Sequence, residues 1–122
     1  MSLRTDPGTG PDPAGVPDRE AYVEAVLSLV EQIPPGAVCT YGDVAELVGR
    51  GGPRNVGQVM SLHGAGVPWW RVIRADGRPV AGLEDEALAR LREEDVVLRG
   101  DRVDLRRSRW VGPDLVDVDE GT

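Results

Sequence analysis

Apolar positions first recur at helical spacing in REAYVEAVLSLVEQ, residues 19–32, where Val23, Val26, Leu27 and Val30, continued by Ile33, predict one buried stripe. Asp18 precedes it as an N-cap, and IPPG at 33–36 ends it, because proline cannot continue a helix interior. The next pattern, AVCTYGDVAELVG at 37–49, puts Thr40 at an N-cap and Asp43 at the third helical position. Gly49 is its stop signal. Pro53 suits the first turn of a further helix through RNVGQVMSLHG, with Val56, Val59 and Met60 facing inward. Two short helices joined by a glycine-containing turn give a helix-turn-helix outline.

Beyond residue 70 the pattern changes character. RVIRADGRPVAG at 71–82 predicts a small hairpin turning at Asp76-Gly77, comparable to the wing of a winged helix. LEDEALARLREED at 83–95 is an amphipathic helix with Ala87, Leu88 and Leu91 inward, and its closing Glu93, Glu94 and Asp95 read as solvated. VVLRGDRVDL at 96–105 predicts a last hairpin near Gly100-Asp101. The expected fold is α+β and mainly helical: a winged-helix-like domain with a helix-turn-helix and small β-hairpins, spanning 18–110. Residues 1–17, rich in proline and glycine, are expected to form a disordered leader, and 111–122 an acidic disordered tail.

Composition narrows the function classes. The chain has 122 residues, enough for one domain, and a formal net charge of -7. That charge is uneven. Between Tyr41 and Gly82 stand Arg50, Arg54, Arg71, Arg74 and Arg78 against Asp43, Glu46 and Asp76 only, whereas Asp114, Asp117, Asp119 and Glu120 close the chain. A basic middle between acidic ends is compatible with nucleic-acid binding. All 14 basic residues are arginine, well suited to phosphate and groove contacts. One cysteine, Cys39, excludes an internal disulfide, and one histidine, His63, leaves no metal-ligand cluster; neither metal nor cofactor is expected. No apolar run is long enough to span a membrane and no signal-peptide pattern opens the chain, so the expected location is cytoplasmic.

Candidate chemistry is sparse. Cys39 reads as a small buried thiol, and His63 as a helix C-terminal residue helped by the dipole. On the helix 54–64, Arg54, Gly57, Gln58 and Ser61 form a face suited to DNA, although a plain solvated face has the same look. The most unusual stretch is GVPWWRVIRADG at 66–77. It sets two of the three tryptophans side by side in a chain without phenylalanine.

Taken in order, IPPGAVCTYGDVAELVG, PRNVG and VPWWRVIRADG resemble the DNA-binding domain of O6-alkylguanine-DNA alkyltransferases over about residues 20–95. That family reads approximately IPxGxVxTYGxIAxxxG, RxVG and PCHRVxxxxG. Its cysteine accepts the alkyl group and its histidine helps generate the thiolate. Here Trp69 and Trp70 stand at those two positions, and an indole is neither a competent nucleophile nor a general base. The resemblance therefore implies an alkyltransferase-like protein without catalytic residues.

Such a protein binds double-stranded DNA containing O6-alkylguanine by nucleotide flipping, as a monomer, and marks it for nucleotide excision repair proteins. A generic winged-helix DNA-binding regulator, and an alkyltransferase with an unusual nucleophile, are the alternatives. By the same resemblance, Tyr41 helps rotate the target nucleotide and, with Trp69, forms the lesion pocket. Arg54 enters the duplex through the minor groove, and Gly57 lets the recognition helix approach the backbone. Thr40, Asn55, Gln58 and Ser61 belong to the same DNA-facing set. Pro68, Trp70, Arg71 and Val72 support the motif, with Arg71 structural and Trp70 packed behind the recognition helix. The family's glycine-rich pocket loop has no recognisable counterpart in VAGLEDEA, 80–87.

Overall fold

Helix α1, Arg19–Gln32, begins where the Asp18 carboxylate accepts the Ala21 N–H at 3.0 Å. This computed structural model describes residues 18–113, so the expected leader at 1–17 and all of the expected 111–122 tail except its first three residues lie outside the described residues; of those three, Gly112 is buried. The buried line of α1 is Tyr22, Val26, Val30 and then Ile33; Val23 and Leu27, expected in the stripe, are half-buried along its edge. The stripe is rotated because Tyr22 is drawn inward: its ring is apolar and its hydroxyl reaches the Arg50 carbonyl at 3.4 Å.

Strand β1, Cys39–Thr40, runs directly into α2, Tyr41–Val48. The Thr40 hydroxyl accepts the Asp43 N–H at 3.0 Å and the Asp43 carboxylate accepts the Thr40 N–H at 3.1 Å, a complete capping box. Gly49 closes α2 with φ 89°. Helix α3, Pro53–His63, has proline in its first turn as expected, and the Gly52 N–H is taken up by Asn55 Oδ1 at 2.8 Å. Between the helices, glycine is favoured at Gly51 on two counts: its φ is 70°, and a Cβ there would lie 2.5 Å from the Tyr22 hydroxyl, which would have to shift.

Two 3₁₀ turns, Gly64–Gly66 and Trp69–Arg71, lead into β2, Val72–Ile73. Here the expected wing hairpin is corrected. The turn exists, with Gly77 N–H on the Arg74 carbonyl at 2.9 Å and Arg74 N–H on the Arg78 carbonyl at 2.8 Å, but no return strand follows. Pro79 has no N–H to extend a ladder, and β2 is already paired in parallel with β1, Cys39 opposite Val72 and Thr40 opposite Ile73. The turn docks on the far end of the chain, where the Val103 N–H donates to the Gly77 carbonyl at 2.8 Å. A Cβ on Gly77 would come within 2.9 Å of the Val103 oxygen.

Helix α3 is followed in the helical series by α4, Glu84–Glu93, with Ala87, Leu88 and Leu91 buried as the pattern predicts. The last hairpin pairs β3, Leu98–Arg99, antiparallel with β4, Arg102–Val103, around Gly100 and Asp101. A short helix the pattern missed, α5 Leu105–Ser108, starts at Asp104, whose carboxylate accepts the Arg106 N–H at 3.1 Å. The result is the mainly helical α+β domain expected. Its β1–β2 ladder separates two cores: Cys39 and Val72 face the cluster of Tyr22, Val26, Val44 and Val56, while Val38 and Ile73 face that of Leu91, Val96 and Val103. No described helix is long and apolar enough to cross a membrane.

Candidate functional site

The capping box of Thr40 fixes where α2 begins, and so fixes Tyr41 as its first residue, at the rim of a cavity of about 470 Å³. That volume falls in the range of about 300–1,000 Å³ usual for small-ligand sites. Helix α3 supplies the floor with Gly57, Met60 and Ser61, and the turn after it adds Gly64 and Ala65. Met60 packs against the core as expected and, half-buried, also borders the cavity. Trp69 forms one wall. The opposite wall is Val80, Ala81, Leu83 and Glu86, from the segment in which no pocket loop was recognisable.

Tyr41 keeps its proton: burial pushes the phenol pKa up, and the nearby Arg74 charge only partly offsets this. It is therefore a hydrogen-bond donor at the rim. Ser61 and Glu86 are the other side chains of the lining with polar tips, and no cysteine or histidine lines the cavity. Cys39 lies elsewhere, 0% exposed, with its thiol 3.7 Å from the Trp110 carbonyl. Burial, reinforced by the Asp43 charge and only partly opposed by Arg109, pushes the thiol pKa up to about 12.

Behind the Trp69 wall stands a network the sequence did not disclose. Trp70 meets Trp69 edge-to-face, with ring centroids 5.7 Å apart and planes at 87°. Its indole N–H donates to Glu94 Oε2 at 2.9 Å. Arg71 clamps the same carboxylate through Nε at 2.9 Å and Nη2 at 2.6 Å, and its Nη1 donates to the Ile33 carbonyl at 2.8 Å. Two expectations are thereby corrected. Glu94 is an internal ion-pair partner rather than a solvated residue, because the adjoining motif brings Arg71 and Trp70 onto it. Trp70 packs with Ile73 and Leu91 on the α4 side, not behind α3, because its N–H finds Glu94 there. Arg90 lies over the Trp70 ring at 4.5 Å and nearer the rim over Trp69 at 6.0 Å.

The cavity thus gathers Tyr41, Gly57, Ser61 and Trp69 from the expected set. Arg54 and Gln58 are exposed on the same helix outside it, and Arg54 makes no ion pair among the described residues. Thr40, 4% exposed, and Asn55, half-buried, are engaged as helix caps. Pro68 and Arg71 are half-buried and Val72 is fully buried, all behind the wall. Arg90, Glu94, Glu86 and the 80–83 wall were missed; the i, i+4 pairing of Glu86 with Arg90, at 3.2 Å, was the one local signal available.

Comparison with known proteins gives the family and the fold. Residues 21–96 match the family described as 6-O-methylguanine DNA methyltransferase, DNA binding domain. The chain is 36% identical over 97 residues to a DNA base-flipping protein of Escherichia coli (strain K12), covering 75% of each. It is 39% identical over 84 residues to Alkyltransferase-like protein 1 of Schizosaccharomyces pombe, covering 63% of this chain and 78% of that one. A crystal structure of S. pombe Atl1 in complex with damaged DNA containing O6-carboxymethylguanine superposes with a TM-score of 0.64 at 31% identity, over 75% of this chain and 95% of that one.

Proposed function

The chain belongs to the family of the 6-O-methylguanine DNA methyltransferase DNA-binding domain, and from that premise we propose that it recognises O6-alkylguanine in duplex DNA without transferring the alkyl group. One observation carries the reading: Trp69 forms the wall of the cavity at the position where the resemblance puts the acceptor cysteine, while the chain's single cysteine is buried outside it. The lesion is flipped out of the stack, which costs about a few kcal/mol. Arg54, exposed in the first turn of α3, fills the gap and adds attraction to the phosphates. Tyr41 turns the nucleotide and donates its O–H at the rim. The largely apolar walls, Trp69 facing Val80 and Leu83, receive the alkyl group. With no nucleophile to follow binding by reaction, the complex persists, and a persistent complex suits handing the lesion to nucleotide excision repair. One copy of the chain carries the whole cavity, so a monomer suffices.

The direct test measures affinity for duplexes carrying O6-methylguanine or plain guanine, with intact-mass analysis after incubation. Preferential lesion binding with unchanged protein mass is expected. Equal affinity for both duplexes would sink the reading, and a methyl mass gain would restore an acceptor role. Arg54→Ala should abolish the preference; if the preference is unchanged, the arginine wedge is wrong.

A further inference from the structure

We propose that Trp70 and Arg90 are positioning residues that hold the Trp69 indole as a fixed wall of the cavity, a role that rests on the lesion-recognition reading above. Among the described residues the Trp69 indole N–H has no hydrogen-bond partner, so packing alone sets the plane of that ring. The packing is supplied by Trp70, edge-to-face at 87°. Trp70 in turn is fixed at both ends: its N–H is bonded to Glu94 at 2.9 Å, and its face is covered by Arg90 at 4.5 Å. Arg90 is itself tethered to the cavity-lining Glu86 at 3.2 Å and overlies Trp69 at 6.0 Å. A line of restraint therefore runs from the Ile33 carbonyl through Arg71, Glu94 and Trp70 to the wall. Arg90 braces it from the α4 side.

An indole can occupy both roles where imidazole cannot. Imidazole would reach a carboxylate, but it lacks the fused ring whose edge abuts Trp69 and whose face accepts a guanidinium. A wall fixed in the free protein receives the extruded base without first being ordered, which preserves affinity that ordering would otherwise subtract.

Arg90→Gln is the informative variant, since the side chain is about half-exposed and its removal opens no core cavity. Two readouts are taken together: the far-ultraviolet exciton couplet of the Trp69–Trp70 pair in the free protein, and the ratio of affinities for O6-methylguanine and plain-guanine duplexes. The glutamine variant should weaken the couplet and lower the ratio about three- to fivefold, and Arg90→Lys should restore most of both. An unchanged couplet would overturn the proposal whatever the ratio does, because a fall in the ratio alone would make Arg90 a direct contact to DNA. If the unaltered protein shows no lesion preference, the functional reading fails, and the couplet still decides whether Arg90 orders the indole pair.

Discussion

Trp70 and Arg71, neighbours in the chain, bond the same oxygen of Glu94, the indole N–H at 2.9 Å and the guanidinium Nη2 at 2.6 Å. Burial alone would raise the Glu94 pKa; the Arg71 and Trp70 hydrogen bonds, the Arg71 charge and the Gly36 N–H outweigh it and hold the carboxyl below its ordinary value. A depressed carboxylate pKa contributes stability that is complete above the unfolded-state value and lost as pH falls through the folded-state value. Denaturant midpoints taken between about pH 5 and pH 3 should therefore fall in the unaltered protein. They should fall less steeply in Glu94→Gln, which should also be about 1–3 kcal/mol less stable at neutral pH.

Gly57 separates stability from function. It lies mid-helix on the face of α3 that borders the cavity, and a Cβ added there would meet nothing within 4 Å. Gly57→Ala should raise stability by about 0.5–1 kcal/mol in urea unfolding, as alanine does in helix interiors. If DNA backbone approaches this face, the same variant should bind duplex DNA at least several-fold more weakly. A more stable protein with undiminished DNA affinity would place the duplex elsewhere.

Cys39 should behave as a core residue. With its pKa pushed up to about 12 and no exposed surface, it should resist thiol-specific reagents in the folded protein at mildly alkaline pH. It should react promptly once denaturant is added. Following labelling by mass against denaturant concentration should give the same midpoint as the loss of helical signal.

Just beyond the Glu94 cap of α4 stands a residue ill suited to its backbone: Asp95 has φ 63°, the one described non-glycine residue with positive φ. Asp95→Gly should stabilise the fold by about 0.5–1 kcal/mol, read as a raised melting temperature, by relieving the left-handed conformation just past the helix.

Elements governed by neighbours in sequence were legible. Asp18, the Thr40 cap, Gly49, Pro53 and the Gly100 turn each act within a few residues, and each stands where the pattern puts it. The misreadings arose where distant partners decide. Asp76-Gly77 makes its turn, yet the strand beside it pairs with Thr40, more than thirty positions upstream, and a ladder of two residues per strand leaves no period to read. Glu94 looked like any acid in an acidic run until the fold set Arg71 against it. The site divides in the same manner. Tyr41 and Trp69 were legible through their motifs, whereas Val80, Ala81 and Leu83 form a wall only because the irregular chain after the turn passes in front of Trp69.

The cavity draws its lining from Tyr41 at one extreme and Glu86 at the other, with α3 and two turns between. The stretch from Gly57 to Ala65 supplies the floor, but Tyr41, Trp69 and the wall from Val80 to Glu86 come from other segments, so only the folded chain assembles the complete site. Occupancy and folding are therefore linked equilibria, and on the proposed reading a bound duplex would act as a thermodynamic staple. At a hundredfold excess over its Kd, it would deepen the native basin by about 2.7 kcal/mol.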